Sequence, residues 1–110
     1  MQQNISFVRV YNENVLKILG RGKDVMKVIK RDGHMVDYCP EKIEEAIENA
    51  NLEVEEEDRA SSIQIKNIIK YIERLGKKRI LVEDIQDIIE MKLMSIGKYE
   101  LAKHYITYRY

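Results

Sequence analysis

Little in this chain supports covalent or metal chemistry. It has one cysteine among 110 residues, so Cys39 has no partner for an internal disulfide. With only two histidines beside it, a four-ligand zinc site is also excluded. Charge of either sign is not in excess: 19 basic residues balance 19 acidic ones. A general polyanion binder draws its affinity from surplus Lys and Arg, so that class is disfavoured. No apolar run approaches the ~18 residues of a membrane span. The opening Met1-Gln2-Gln3-Asn4 is not followed by the apolar core of a signal peptide. A reduced, cytoplasmic setting is expected. What is present suffices for a folded domain, with 45% hydrophobic and 35% charged residues. A chain this short holds a core and one site, rarely a whole enzyme.

The chain divides near Met26. Before it, Ile5–Tyr11 and Val15–Leu19 are β-type runs separated by Asn12 and Asn14, which favour turns. Residues 1–25 are therefore expected to form an N-terminal extension, in the form of a hairpin. An isolated hairpin is marginal in water and needs something to dock on. Gly20 to Asp24 reads as a connector.

A second hairpin is expected between Lys27 and Tyr38. Asp32-Gly33 at the centre suits a two-residue type I′ turn, which would set Lys30 opposite Met35 and Arg31 opposite His34. Alternation places Val28 with Lys30 on one face and Ile29 with Arg31 on the other. Four helices are expected after it. The first starts at Pro40, a residue suited to the first helical position, and carries Ile43, Ala46, Ile47 and Ala50 on one stripe. After an acidic linker, Glu53 to Asp58, the second carries Ile65, Ile68, Ile69, Ile72 and Leu75. Glu57 and Asp58 are expected to complement its positive end. The third, entered through Ile80 to Val82, carries Ile85, Ile88, Ile89, Leu93 and Ile96. The fourth runs from Tyr99 to Tyr110 with Leu101, Ala102, Tyr105 and Tyr108 or Arg109 on its stripe. The fold class is α+β, mainly α: a β-hairpin packed on a small four-helix bundle, with a short N-terminal β-type extension.

One cluster carries chemistry. Lys30 and Arg31 on the hairpin stand beside a helix start that carries Lys42. Three cations, free backbone N–H groups and a helix dipole suit a polyphosphate. Against this, Lys and Arg near a turn are commonly just solvated. The tyrosines of the last helix are read as packing residues with adenine stacking as the alternative. Cys39 is read as a partly buried filler, with a reactive thiol as the alternative.

These residues carry a resemblance. Lys27 to Gly33, then a second strand, then Glu41-Lys42-Ile43 with Ala46, Ile47 and Ala50, resembles the start of an ATP-cone domain. Val82 to Ile89 and Tyr99 to Arg109 resemble its far end, so the likeness covers residues 26–110. ATP-cones are regulatory modules of ribonucleotide reductase large subunits, aerobic and anaerobic, and of the reductase repressor. The resemblance implies a non-catalytic domain that takes ATP or dATP, with Mg2+, as effector and acts on reductase catalytic domains or subunits through changed oligomer contacts. It implies a homo-oligomer formed through helix faces, with no membrane and no nucleic-acid role. Carried over by position, the nucleotide contacts are Val28, Lys30 and Arg31; Val36, Asp37, Tyr38, Cys39, Pro40, Glu41, Lys42 and Ile43; and Val82, Ile85 and Gln86. Three positions depart from the family pattern. Cys39 stands where Asp or Asn is common, Val82 where a hydroxyl residue is common, and Gln86 where some reductases have His. The alternative function is a helical protein-interaction module that has lost nucleotide binding. Nucleic-acid binding rests only on Lys77, Lys78 and Arg79.

Overall fold

The computed structural model describes residues 25–108. The β-type runs expected before Val25 and the last two residues of the fourth helix lie outside the described residues. Within them the order is β1 (Lys27–Ile29), β2 (Met35–Asp37), α1 (Pro40–Asn51), a 3-10 turn (Glu56–Asp58), α2 (Ser62–Arg74), β3 (Arg79–Leu81), α3 (Val82–Ser95) and α4 (Tyr99–Tyr108).

The hairpin forms with a register one residue away from the expected one. Ile29 pairs with Met35, Val28 with Val36 and Lys27 with Asp37. Lys30 therefore lies level with His34, whose carbonyl accepts its N–H at 2.8 Å, and Arg31-Asp32-Gly33 make a three-residue loop. The physical reason is Asp32. A type I′ turn needs positive φ at both central residues, and only Gly33, at +94°, has it. Asp32 instead accepts the His34 N–H at 3.1 Å, which holds its carboxyl below the usual carboxylate range. A shift of one residue exchanges the faces of the second strand. Val36 thus turns to the same face as Val28, and Met35 is left exposed.

A third strand, which the sequence suggested only as a lead-in to a helix, joins the hairpin. β3 runs parallel to β1, with Val28 level with Ile80, in a sheet ordered β2-β1-β3. Val28 and Ile80 are buried side by side on the face that meets the bundle. Lys30, Val82 and Tyr38 follow Val28, Ile80 and Val36 by two residues, so they continue the same face past the strand ends.

The helical stripes form the core. Ile47 and Ala50 of α1, Ile65 and Ile72 of α2, Ile89 and Leu93 of α3, and Leu101 of α4 are essentially fully buried. Removing each of these isoleucine and leucine side chains from water stabilises the fold by about 1.5–3 kcal/mol. Each of α1 and α3 packs against both α2 and α4, so the four helices close around this core. Leu75 and Ile96, expected on the buried stripes, are 37% and 40% exposed. Their helices end at Arg74 and Ser95, and Gly76 and Gly97, with φ of +67° and +81°, turn the chain away. The acidic linker is braced by Asn51, whose side chain donates to the Ala60 carbonyl and accepts the Ala60 N–H, both at 3.0 Å. The helix that follows is closed by Ser61 rather than by Glu57 or Asp58. Ser61 and Gln64 exchange reciprocal bonds of 3.1 and 2.9 Å, a complete capping box.

Candidate functional site

The face shared by Val28, Lys30, Val36 and Val82 does not close completely on the bundle. It leaves a cleft of about 270 Å3. β1 contributes Val28 and the following Lys30; β2 and its exit contribute Val36, Asp37, Tyr38 and Cys39. Lys42, Ile43 and Ala46 come from the first turns of α1, and Val82, Ile85 and Gln86 from the first turns of α3. Tyr105 of α4 forms part of the wall. Eleven of the residues singled out from the sequence thus meet in one place. Arg31, Pro40 and Glu41 do not line it. Arg31 Nε lies 3.5 Å from Glu83 Oε2, which ties the hairpin loop to the start of α3. Pro40 begins α1, and Glu41 accepts the Cys39 thiol at 3.4 Å.

Two lining residues were not among those candidates. Ala46 was assigned to the core stripe of α1, and the stripe does continue into the cleft wall. Tyr105 was read as packing, and it is 3% exposed. It lies on the stripe of Leu101 and Ala102, so periodicity marks it as buried without marking it as a wall. His34 and His104 are not lining residues.

The electrostatics are asymmetric. Lys30 and Lys42 bring two ammonium groups to the rim. Asp37 brings a carboxylate, which the Lys27 ammonium engages from the neighbouring strand. Both helices that begin at the cleft, α1 after Cys39 and α3 after Leu81, have no side-chain cap. Sulfur is a poor capping atom, and Leu81 offers none. Their first-turn N–H groups and positive dipole ends are left without a side-chain acceptor. Val28, Ile43, Ala46, Val82 and Ile85 make an apolar wall, and Tyr38 and Gln86 add polar atoms to the lining. An apolar wall, two cations and two helix starts suit a ligand with a flat apolar part and an anionic tail.

One polar atom of this lining, Gln86 Oε1, is buried without a hydrogen-bond partner, and the buried Tyr38 hydroxyl lies beside the Glu73 carboxylate. Burial, and after it the Glu73 carboxylate, pushes the Tyr38 phenol above its ordinary range, so it is neutral and able to donate. Unpaired buried polar atoms are uncommon and costly. Among the described residues no group of three or more His, Cys, Asp or Glu could hold a metal ion.

The sequence matches the family model described as the ATP cone domain over residues 26–110. It is 31% identical over 109 residues to ribonucleoside-diphosphate reductase subunit alpha of Chlamydia pneumoniae, covering 91% of this chain and 10% of that protein. It is 38% identical over 91 residues to the vitamin B12-dependent ribonucleoside-diphosphate reductase of Thermoplasma acidophilum, and 32% identical over 83 residues to the anaerobic ribonucleoside-triphosphate reductase of Escherichia coli K12. Those two matches cover 77% and 76% of this chain and 12% of each relative. The chain therefore spans only about a tenth of the length of the reductases it matches. With a hairpin, extended by a third strand, over four helices and a family match running from Met26 to Tyr110, the chain belongs to the ATP-cone family.

Proposed function

We propose that residues 26–110 form an allosteric sensor of ATP and dATP, and that the cleft under the hairpin is the effector site. The base and ribose lie against the apolar wall made by Ile43, Ala46, Val82 and Ile85. The phosphates lie at the rim, between Lys30, Lys42 and the two helix starts. The single observation that carries this reading is the convergence of Lys30 and Lys42 with both uncapped helix ends on one cleft that also has an apolar wall. A charge-assisted hydrogen bond contributes about 1.5–3 kcal/mol, so a few of them together reach roughly micromolar affinity, about −8 kcal/mol.

Gln86 Oε1, a buried acceptor without a partner, fits a ligand that carries a donor, as a nucleoside does. Discriminating ATP from dATP means reading one ribose hydroxyl, for which about 1–3 kcal/mol is available. Magnesium would arrive on the phosphates, since the described residues offer no carboxylate cage for it. The domain performs no chemistry itself. Effector binding between hairpin and bundle favours one arrangement of the helix surface over another, which changes the oligomer contacts of an attached ribonucleotide reductase.

Calorimetry with ATP and dATP tests the site. Saturable binding that is lost in the Lys30→Ala, Lys42→Ala double variant supports it. Wild-type affinity in that variant removes the site. Absence of any binding by the unaltered chain leaves the protein-interaction module as the function.

A further inference from the structure

Arg31 and Glu83 stand beside the cleft without lining it. Each follows a residue that does line it: Arg31 comes after Lys30, and Glu83 after Val82. Arg31 Nε and Glu83 Oε2 are 3.5 Å apart, and the two side chains are 45% and 55% exposed. The pair links the hairpin loop to the first turn of α3, where Glu83 and Asp84 are both acidic. The guanidinium therefore already stands at the start of α3, one of the two helix ends between which the phosphates are placed.

A carboxylate and a terminal phosphate make the same demand on an arginine, because its planar fork of donors fits either. The contact with Glu83 is long for a charge-assisted bond, and an exposed pair is screened and loosely held. A phosphate bound at the α3 start offers more charge and more oxygens, and Lys30 together with the helix end fixes its position. Arg31 thus has two acceptors to choose between within one helical turn. Glu83 opposes the phosphate a second time, since its own negative charge occupies the same positive helix end.

We propose that Glu83 sets how strongly the cleft holds an anionic tail, by competing with the terminal phosphate for Arg31. The proposal rests on the effector reading of the cleft. With a long phosphate tail, Arg31 leaves Glu83 for the phosphate and the hairpin loop is released from α3. With a short tail, the pair persists and the ligand gains nothing from Arg31. Glu83 therefore grades nucleotides by the number of phosphates they carry, and Arg31 contributes to binding only the difference between its two partners.

Calorimetry with ATP, ADP and AMP, at one fixed magnesium and salt concentration, tests this on the 110-residue chain and its Glu83→Gln variant. The variant is expected to bind ATP about two- to fivefold more tightly, the range that an exposed ion pair supplies. The gain is expected to shrink for ADP and to vanish for AMP. In an Arg31→Ala background the same substitution is expected to change ATP affinity by less than about twofold, because nothing is left to compete for. Asp84→Asn, which removes the neighbouring carboxylate, is expected to leave the ratio of ATP to AMP affinity unchanged. All three replaced side chains are exposed, so the core is untouched. ATP affinity that Glu83→Gln leaves unchanged or weakens overturns the proposal. So does a gain that is equal for the three nucleotides, that survives in full without Arg31, or that Asp84→Asn reproduces, since each of these assigns it to charge repulsion alone. Absence of ATP binding by the unaltered chain overturns the effector reading and this inference with it. Binding that Glu83→Gln fails to tighten overturns this inference only.

Discussion

Helices α1 and α2 pack against each other yet begin in opposite ways. α2 opens with Ser61 and Gln64 exchanging two hydrogen bonds, so its first turn is satisfied by the chain itself. α1 opens after Cys39, which makes no capping bond and gives its thiol to Glu41 instead. α3, which also begins at the cleft, is uncapped too. The helix start remote from the cleft is thus closed by its own side chains, and the two at the cleft are left open. An acceptor supplied by the protein would compete with an anionic ligand for the same N–H groups and the same dipole end. Capping therefore adds stability where nothing has to bind and would oppose binding where something does.

The largest expected effect lies at the open ends. Replacing Lys30 and Lys42 with alanine should weaken ATP binding about 100-fold, on the order of 3 kcal/mol, while thermal unfolding is nearly unchanged, because both side chains are exposed at the rim. Calorimetry and a melting curve read the two quantities separately. A large loss of stability with affinity retained would reverse the roles assigned to the two regions.

The closed end should respond in the opposite sense. Ser61→Ala removes the capping acceptor and should cost about 1 kcal/mol in urea unfolding, with ATP affinity unchanged. Smaller again is the effect of supplying a cap where none exists. Cys39→Asp gives α1 a carboxylate at its first turn, which should add roughly 0.5–1 kcal/mol of stability and weaken ATP several-fold. If affinity rises in that variant, the α1 end does not face an anion.

The smallest effect concerns Tyr38. Its phenol is held above the ordinary range in the folded chain, so the folded state keeps the proton that the unfolded chain releases near pH 10. That contribution to stability is complete below about pH 10 and declines as the pH rises beyond it. Tyr38→Phe should flatten this alkaline decline. At pH 7 it should change stability by about 1 kcal/mol or less, since the neighbouring Glu73 carboxylate is exposed and is solvated once the hydroxyl is gone. Melting curves at pH 7 and pH 11 measure both effects. A steep alkaline decline that persists in the phenylalanine variant would assign it to another group.

Much of the helical architecture is legible in the sequence because a helix announces itself locally. Ile43, Ile47 and Ala50, or Ile85, Ile89 and Leu93, recur at helical spacing and are buried as that spacing requires. The hairpin is legible in kind but not in register. Asp32-Gly33 marks a turn, yet whether the loop holds two residues or three depends on whether Asp32 accepts positive φ, and it does not. The cleft was legible only in part. The family resemblance marked Lys30, Lys42, Val82 and Gln86, but nothing in the local pattern separates Ala46 and Tyr105 from ordinary core residues.

The spacing of apolar residues and the positions of Pro40, Gly76 and Gly97 settled by themselves where three of the helices begin or end and which sides they bury, because those choices depend on neighbours a few residues away. Tertiary structure decided what depends on residues far apart in the chain. Arg79–Leu81 becomes a strand only because β1 offers it a parallel partner, and Arg31 is drawn to Glu83 rather than to the cleft rim. Lys30 and Lys42 come to share one cleft only because the sheet face that carries Val28 and Ile80 settles over the starts of α1 and α3.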